Sequence, residues 1–125
     1  MWPFLFRNQN MKFTQSLKKN RDFRTVYQQG KSFSNRYFIM YVQKNSLSCN
    51  YLGISVSKKV GNSVVRHRVK RLVREAYRLH EDMFNSGLNI VVIARPAARD
   101  AGYREVVSAI LHLAHLHTIL VKEDT

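Results

Sequence analysis

The chain has 125 residues, 45% of them apolar, which suits one compact domain and argues against global disorder. Its 21 Lys and Arg stand against 8 Asp and Glu, a formal charge of +13, which excludes the interspersed signs of an ordinary enzyme surface; a polyanion is the expected partner, nucleic acid ahead of an anionic membrane. Cys49 is the only cysteine, so no intrachain disulfide or cysteine zinc site is expected; a reduced, cytoplasmic setting fits, and no segment approaches the roughly 20 apolar residues of a membrane span.

In chain order, residues 1–10 read as an extension ahead of Met11-Lys12-Phe13. Residues 1–16 are expected to be a flexible lead-in to a single domain at 17–119, with 120–125 as a tail. A first helix is predicted at 21–29, with Asn20 as N-cap, Asp22 at the positive end of the dipole, and Gly30 as the stop. Phe23, Val26 and Tyr27 share one face of it. Residues 37–43 alternate as a strand, Phe38, Met40 and Val42 one way and Tyr37, Ile39 and Tyr41 the other. A polar loop at 44–50 leads to a second strand at 51–57, with Leu52, Ile54 and Val56 on its apolar face. Gly53, Ser55 and Ser57 make a small-residue face that lets a helix come close.

After the turn at 58–62, a long helix is predicted at 63–80. Val65, Val69, Leu72, Val73 and Ala76 form its inward stripe. A buried strand follows at 89–94, ended by Pro96, and a last helix starts near Asp100 or Tyr103 with Val106, Val107, Ile110, Leu111 and Ala114 inward. The order α-β-β-α-β-α, with a further short strand near 31–34, implies an α+β sandwich: one small sheet packed with helices.

The long helix is the strongest local feature. No acidic residue stands between Asp22 and Glu75, yet Arg66, Arg68, Lys70, Arg71, Arg74 and Arg78 crowd four turns, with His67 among them. Such cations repel one another, and phosphates offset that repulsion by ion pairing and counterion release. Arginine forks suit phosphate and base edges, and Lys58 and Lys59 add charge where free helix N–H groups also favour phosphate. A second candidate surface gathers Phe23, Tyr27, Tyr37, Phe38 and Tyr41, interleaved with Arg24, Lys31 and Arg36. Rings beside cations are how single-stranded RNA is commonly held, although Phe38 fits a core role better. No pair of carboxylates, phosphate loop or Ser-His-Asp spacing supports catalysis by this chain. His80, His112, His115 and His117 lack acidic partners for a metal, and no residue is assigned to one.

The run Gly53-Ile54-Ser55-Val56-Ser57-Lys58-Lys59-Val60-Gly61-Asn62-Ser63-Val64-Val65-Arg66-His67-Arg68-Val69-Lys70-Arg71-Leu72-Val73-Arg74-Glu75 closely resembles the signature of the bacterial ribonuclease P protein family. The likeness extends to Asn20-Arg21-Asp22-Phe23-Arg24-Thr25-Val26-Tyr27-Gln28-Gln29-Gly30, to Asn35-Arg36-Tyr37-Phe38 and to Ile90-Val91-Val92-Ile93-Ala94-Arg95-Pro96, so it covers roughly residues 17–116. It implies a left-handed β-α-β crossover, like the second domain of a small-subunit ribosomal protein and against the usual right-handed rule. It also implies an accessory subunit of a ribonucleoprotein endoribonuclease that removes the 5′ leader of precursor tRNA, with catalysis and the required magnesium ions belonging to the RNA.

Carried onto this sequence, Lys58, Lys59, Gly61, Asn62, Arg66, His67, Arg68, Lys70, Arg71 and Arg74 would contact the catalytic RNA. Phe23, Tyr27 and Tyr41, with Lys31 and Arg36 nearby, would receive the leader. His67 stands where the family usually has Asn. The implied partners are the catalytic RNA and precursor tRNA, with no membrane and no obligate protein partner. Two other readings fit the charge: a non-enzymatic ribosomal or RNA-assembly protein, and a DNA-binding regulator. A strand and turn before the basic helix, where a helix-turn-helix needs another helix, count against the regulator.

Overall fold

A computed structural model describes residues 11–121. Along them run β1 (Thr14–Ser16), α1 (Asn20–Gln29), β2 (Lys31–Ser34), β3 (Phe38–Lys44), β4 (Asn50–Ser55), α2 (Ser63–Leu79), β5 (Leu88–Ala94) and α3 (Tyr103–Leu116), with 3-10 turns at Glu81–Met83 and Pro96–Asp100. The strands form one mixed sheet in the order β1-β4-β5-β3-β2. β1, β4 and β5 are parallel neighbours, and β3 and β2 continue the sheet antiparallel. The fold is therefore the expected α+β sandwich, and β4-α2-β5 is its parallel β-α-β unit.

The two sheet faces differ as the alternation of β3 predicts. Phe38, Met40 and Val42 are buried, and Leu52, Ile90 and Val92 join them in the main core. Val69, Val73, Ala76 and Tyr77 of α2, with Val106, Ala109, Ile110, Leu113 and Ala114 of α3, cover that face. Fully burying each large apolar side chain contributes about 1.5–3 kcal/mol. On α3, Val107 and Leu111 are only partly buried; Ala109 and Leu113 take the inward positions expected for them. Apolar residues surround more than half of this helix, so periodicity alone does not choose the inward side.

α1 crosses the other face. Val26 is buried there, and the Phe23 ring lies on Gly53 so closely that a Cβ would sit 2.6 Å from it. The small-residue face of β4 thus admits a helix, as its sequence predicts. Asn20 is the first helical residue rather than the N-cap, a position held by Lys19 without a side-chain cap. Gly30 ends α1 in an extended conformation and leads straight into β2. Glycine is required there because a Cβ would meet the carbonyl oxygens of Val26 at 2.7 Å and Val42 at 2.9 Å.

The expected flexible lead-in is corrected over residues 11–16. β1 pairs with β4, and a buried polar chain fastens it. Glu81, 2% exposed, accepts from the Lys12 and Phe13 backbone N–H groups at 2.7 and 3.0 Å and from the Thr14 hydroxyl at 2.6 Å. The Tyr77 hydroxyl lies 2.7 Å from Thr14 Oγ1 and accepts from Asn50 Nδ2 at 3.2 Å. Every member has a partner, so burial carries no unsatisfied polar group. At the other terminus, Leu120 bridges Phe84 and the Val121 N–H donates to Met83 O at 2.7 Å, so these residues belong to the domain rather than to a tail. Residues 1–10 and 122–125, including the rest of the expected extension and tail, lie outside the described residues.

Candidate nucleic-acid interface

β4 ends at Ser55, and the turn that follows feeds α2. Val60, 1% exposed, pins this turn to the core, leaving Lys58 and Lys59 exposed. Asn62 is the N-cap of α2: its Oδ1 accepts the Val65 N–H at 3.0 Å, satisfying one of the helix's orphan donors. Gly61 contributes its carbonyl, which accepts from Arg66 Nη1 at 3.0 Å.

The apolar stripe turns the opposite side of α2 outward, but the cations divide into two groups. The side chains of His67, Lys70, Arg71 and Arg74 form no hydrogen bond or ion pair among the described residues; His67, Arg71 and Arg74 are exposed and Lys70 half-buried. Arg68 is committed. Its Nη1 donates to Arg99 O at 2.9 Å and its Nη2 to Ala101 O at 2.8 Å, tying α2 to the turn before α3. Arg78 is half-buried against Glu75, whose hydrogen bond raises its pKa. The face available to a ligand therefore runs from Lys58 and Lys59 through His67, Lys70, Arg71 and Arg74.

The aromatic surface lies under and beside α1. Tyr27 packs edge-on to Tyr41 at 5.1 Å between centroids, and Phe23 is 6.4 Å from Tyr27. Burial pushes the pKa of the Tyr27 hydroxyl up, and Ser55 opposes that shift. Beyond Tyr27, register aligns Ser55 with Ile93 and Ile93 with Ile39, a half-buried row that α1 leaves uncovered. These three residues extend the sheet face beside Tyr27 and Tyr41, and the apolar spacing alone does not bring them together. The small face of β4 was a signal for Ser55, but only strand register places Ile39 and Ile93 beside it.

Two expected members, Lys31 and Arg36, lie away from this surface. Lys31 pairs with Val42 and Phe33 with Met40, so both point to the α3 side, opposite Tyr41. There Phe33 meets His117 edge-on at 4.7 Å. Arg36 lies in the β2–β3 connection with its guanidinium over the Tyr37 ring, 5.4 Å from the centroid, outside the Phe23–Tyr27–Tyr41 cluster. Tyr37 itself donates to Glu105 on α3 at 3.2 Å, and Phe38 is core.

The three late histidines do not converge. His112 lies beside Asn35, His115 is exposed, and His117 Nε2 is 2.8 Å from Met40 O. Among the described residues no three His, Cys, Asp or Glu side chains are placed to hold a metal, and no helix is long and apolar enough to cross a membrane. What the arrangement offers is binding chemistry. The cationic face of α2 begins at the turn after Ser55, and Ser55 borders the aromatic surface, so both surfaces share one end of the sheet.

Comparison with known proteins points the same way. The ribonuclease P family model matches residues 11–117. The ribonuclease P protein component of Lachnoclostridium phytofermentans is 58% identical over 111 residues, covering 89% of this chain and 96% of that protein. That of Alkaliphilus metalliredigens is 52% identical over 103 residues, covering 82% and 93%. Among solved structures, the Staphylococcus aureus RNase P protein superposes with a TM-score of 0.78 at 36% identity, covering 85% of this chain and 97% of that one. The Thermotoga maritima RNase P protein gives 0.73 at 33% identity, covering 79% and 94%.

Proposed function

Because the chain belongs to the ribonuclease P protein family, we propose that it acts as the RNA-binding subunit that lets a catalytic RNA remove the 5′ leader of precursor tRNA. As a ribonuclease P protein component it serves tRNA processing within a ribonucleoprotein, and the reading as a ribosomal or assembly protein is set aside. The exposed cations of α2 and the Lys58–Lys59 turn neutralise phosphates of the catalytic RNA. The cleft of Phe23, Tyr27 and Tyr41 over Ser55, Ile93 and Ile39 receives the single-stranded leader by stacking. Hydrolysis and its magnesium ions belong to the RNA.

The observation that carries this reading is the shared sheet end, where one RNA surface for backbone and one for bases adjoin. The test is multiple-turnover cleavage of a precursor tRNA by a matched ribonuclease P RNA at low magnesium, with and without the protein, beside protein alone. Cleavage should appear only when RNA and protein are combined. Cleavage by protein alone, or no stimulation of a correctly folded RNA, overturns the reading.

A further inference from the structure

A third cationic surface lies apart from both others, in an open trough of about 420 Å³ between α3 and the β2–β3 connection. Arg104, Ser108 and His112 stand at i, i+4 and i+8, exposed along one side of α3. Asn35, Arg36 and Tyr37 form the facing wall, and Ala109 lies between the two.

The wall is firmly built. Asn35 Oδ1 accepts from the Tyr37 and Phe38 N–H groups at 3.1 and 3.0 Å, and its Nδ2 donates to Ala109 O at 3.0 Å. Arg95 braces the same turn from β5, its backbone N–H donating to Tyr37 O at 2.8 Å and its Nη1 to Asn35 O at 2.9 Å. The one carboxylate in the trough is engaged. Glu105 accepts from the Gly102 N–H at 2.7 Å and from the Tyr37 hydroxyl at 3.2 Å. Arg104, by contrast, has no hydrogen bond or ion pair among the described residues, and His112 has only a 3.4 Å approach to Asn35 Nδ2. The donors left over are two guanidinium forks, a hydroxyl and an imidazole beside a half-buried ring. That set suits a phosphodiester with a base or ribose against the ring, and suits an apolar partner poorly.

Its position gives the ligand class. Phe38 pairs with Ala94, and Ile39 with Ile93, so the β2–β3 connection sits at the sheet end where the aromatic cleft opens. We propose that the trough of Arg36, Tyr37, Arg104, Ser108 and His112 is a further RNA-binding subsite, holding a phosphodiester of single-stranded RNA beyond the cleft. This rests on the subunit reading above. The phosphodiester comes either from the precursor leader or from the catalytic RNA, and binding experiments separate the two.

The full-length protein is compared with Arg104→Glu and with the milder Arg104→Gln/His112→Gln, after confirming wild-type melting. One arm measures affinity for the catalytic RNA alone. The other measures affinity of the assembled holoenzyme for precursor tRNA carrying a very short or a long leader. Arg104→Glu should weaken one arm about 5- to 10-fold and lower its salt slope by about one unit. Loss in the first arm assigns the catalytic RNA; loss only with the long leader assigns the leader. Unchanged affinity in both arms for whichever variant melts like wild type overturns the proposal. Wild-type protein that binds neither RNA overturns the subunit reading, and this proposal with it.

Discussion

At the residue scale, Arg68 separates two jobs that look alike in a run of arginines. Spacing places it on the flank of α2 among RNA-contacting candidates, but its fork spans two carbonyls, Arg99 O and Ala101 O. Losing it leaves both acceptors without this donor and loosens α2 from the turn before α3. Hydrogen bonds from charged donors contribute about 1.5–3 kcal/mol each when well shielded, and less here because the Arg99 contact is exposed. Arg68→Ala should therefore lower unfolding stability by about 1–2 kcal/mol, and Arg68→Lys should recover only part of it, since one ammonium cannot reproduce a two-pronged fork. Arg71→Ala, with no side-chain partner among the described residues to lose, should leave denaturant unfolding unchanged while weakening RNA binding. Identical unfolding curves for Arg68→Ala and wild type would contradict the clamp role. His67, exposed between these two kinds of arginine, presents its imidazole to solvent.

At the element scale, the long periodic segments and the short β2 were legible, and β1 and the non-local contacts were not. α1, α2 and β3 announce themselves by apolar spacing, and their bounds move by only a residue or two. β1 has three polar residues and no alternation to read; it exists because Glu81, Tyr77 and Asn50, far away in sequence, meet Thr14 and its neighbours. The junction of α3 with the sheet is equally non-local. His117, just past α3, bonds Met40 O on β3 and meets Phe33 on β2. At 2.8 Å its Nε2 donates to that carbonyl, which the neutral imidazole can do. Burial holds its pKa below the usual value, with nearby Lys31 adding to the shift and the Met40 bond opposing it. The folded state then binds fewer protons than the unfolded state, so this contribution is complete above about pH 6.5 and is lost as pH falls toward the lowered folded pKa. The melting-temperature advantage of wild type over His117→Gln should shrink as the buffer goes from about pH 7.5 to 5. An advantage that stays constant or grows on acidification would refute the assignment.

At the scale of the whole molecule, charge was readable from composition, whereas its partition over the surface was not. Lys31 and Arg36 lie close in sequence to the cleft aromatics, yet register sends one through the sheet and a turn carries the other to α3. Likewise Ile39 and Ile93 reach the cleft only because β3 pairs with β5. The net charge of +13 remains, and the ion pairs among the described residues are three: Lys12–Asp82, Arg21–Asp22 and Arg78–Glu75. The folded protein consequently repels itself, and salt should act on it in two opposite directions. For the free protein, added salt screens the repulsion and should raise the melting temperature. For the complex, salt competes with phosphate contacts. Lys58, Lys59, Lys70, Arg71 and Arg74 have side chains without partners among the described residues, so if all five engage phosphates the slope of log affinity against log salt should be about −3.5 to −4.5. Replacing Arg71 and Arg74 together by Ala should flatten that slope by one to two units, on the order of one unit per lost contact, while leaving the salt-induced rise in melting temperature largely in place. Titrating the catalytic RNA at several salt concentrations, beside thermal melts of the free protein, tests both signs. An affinity insensitive to salt would mean that the cationic face of α2 does not meet phosphate, whatever its charge.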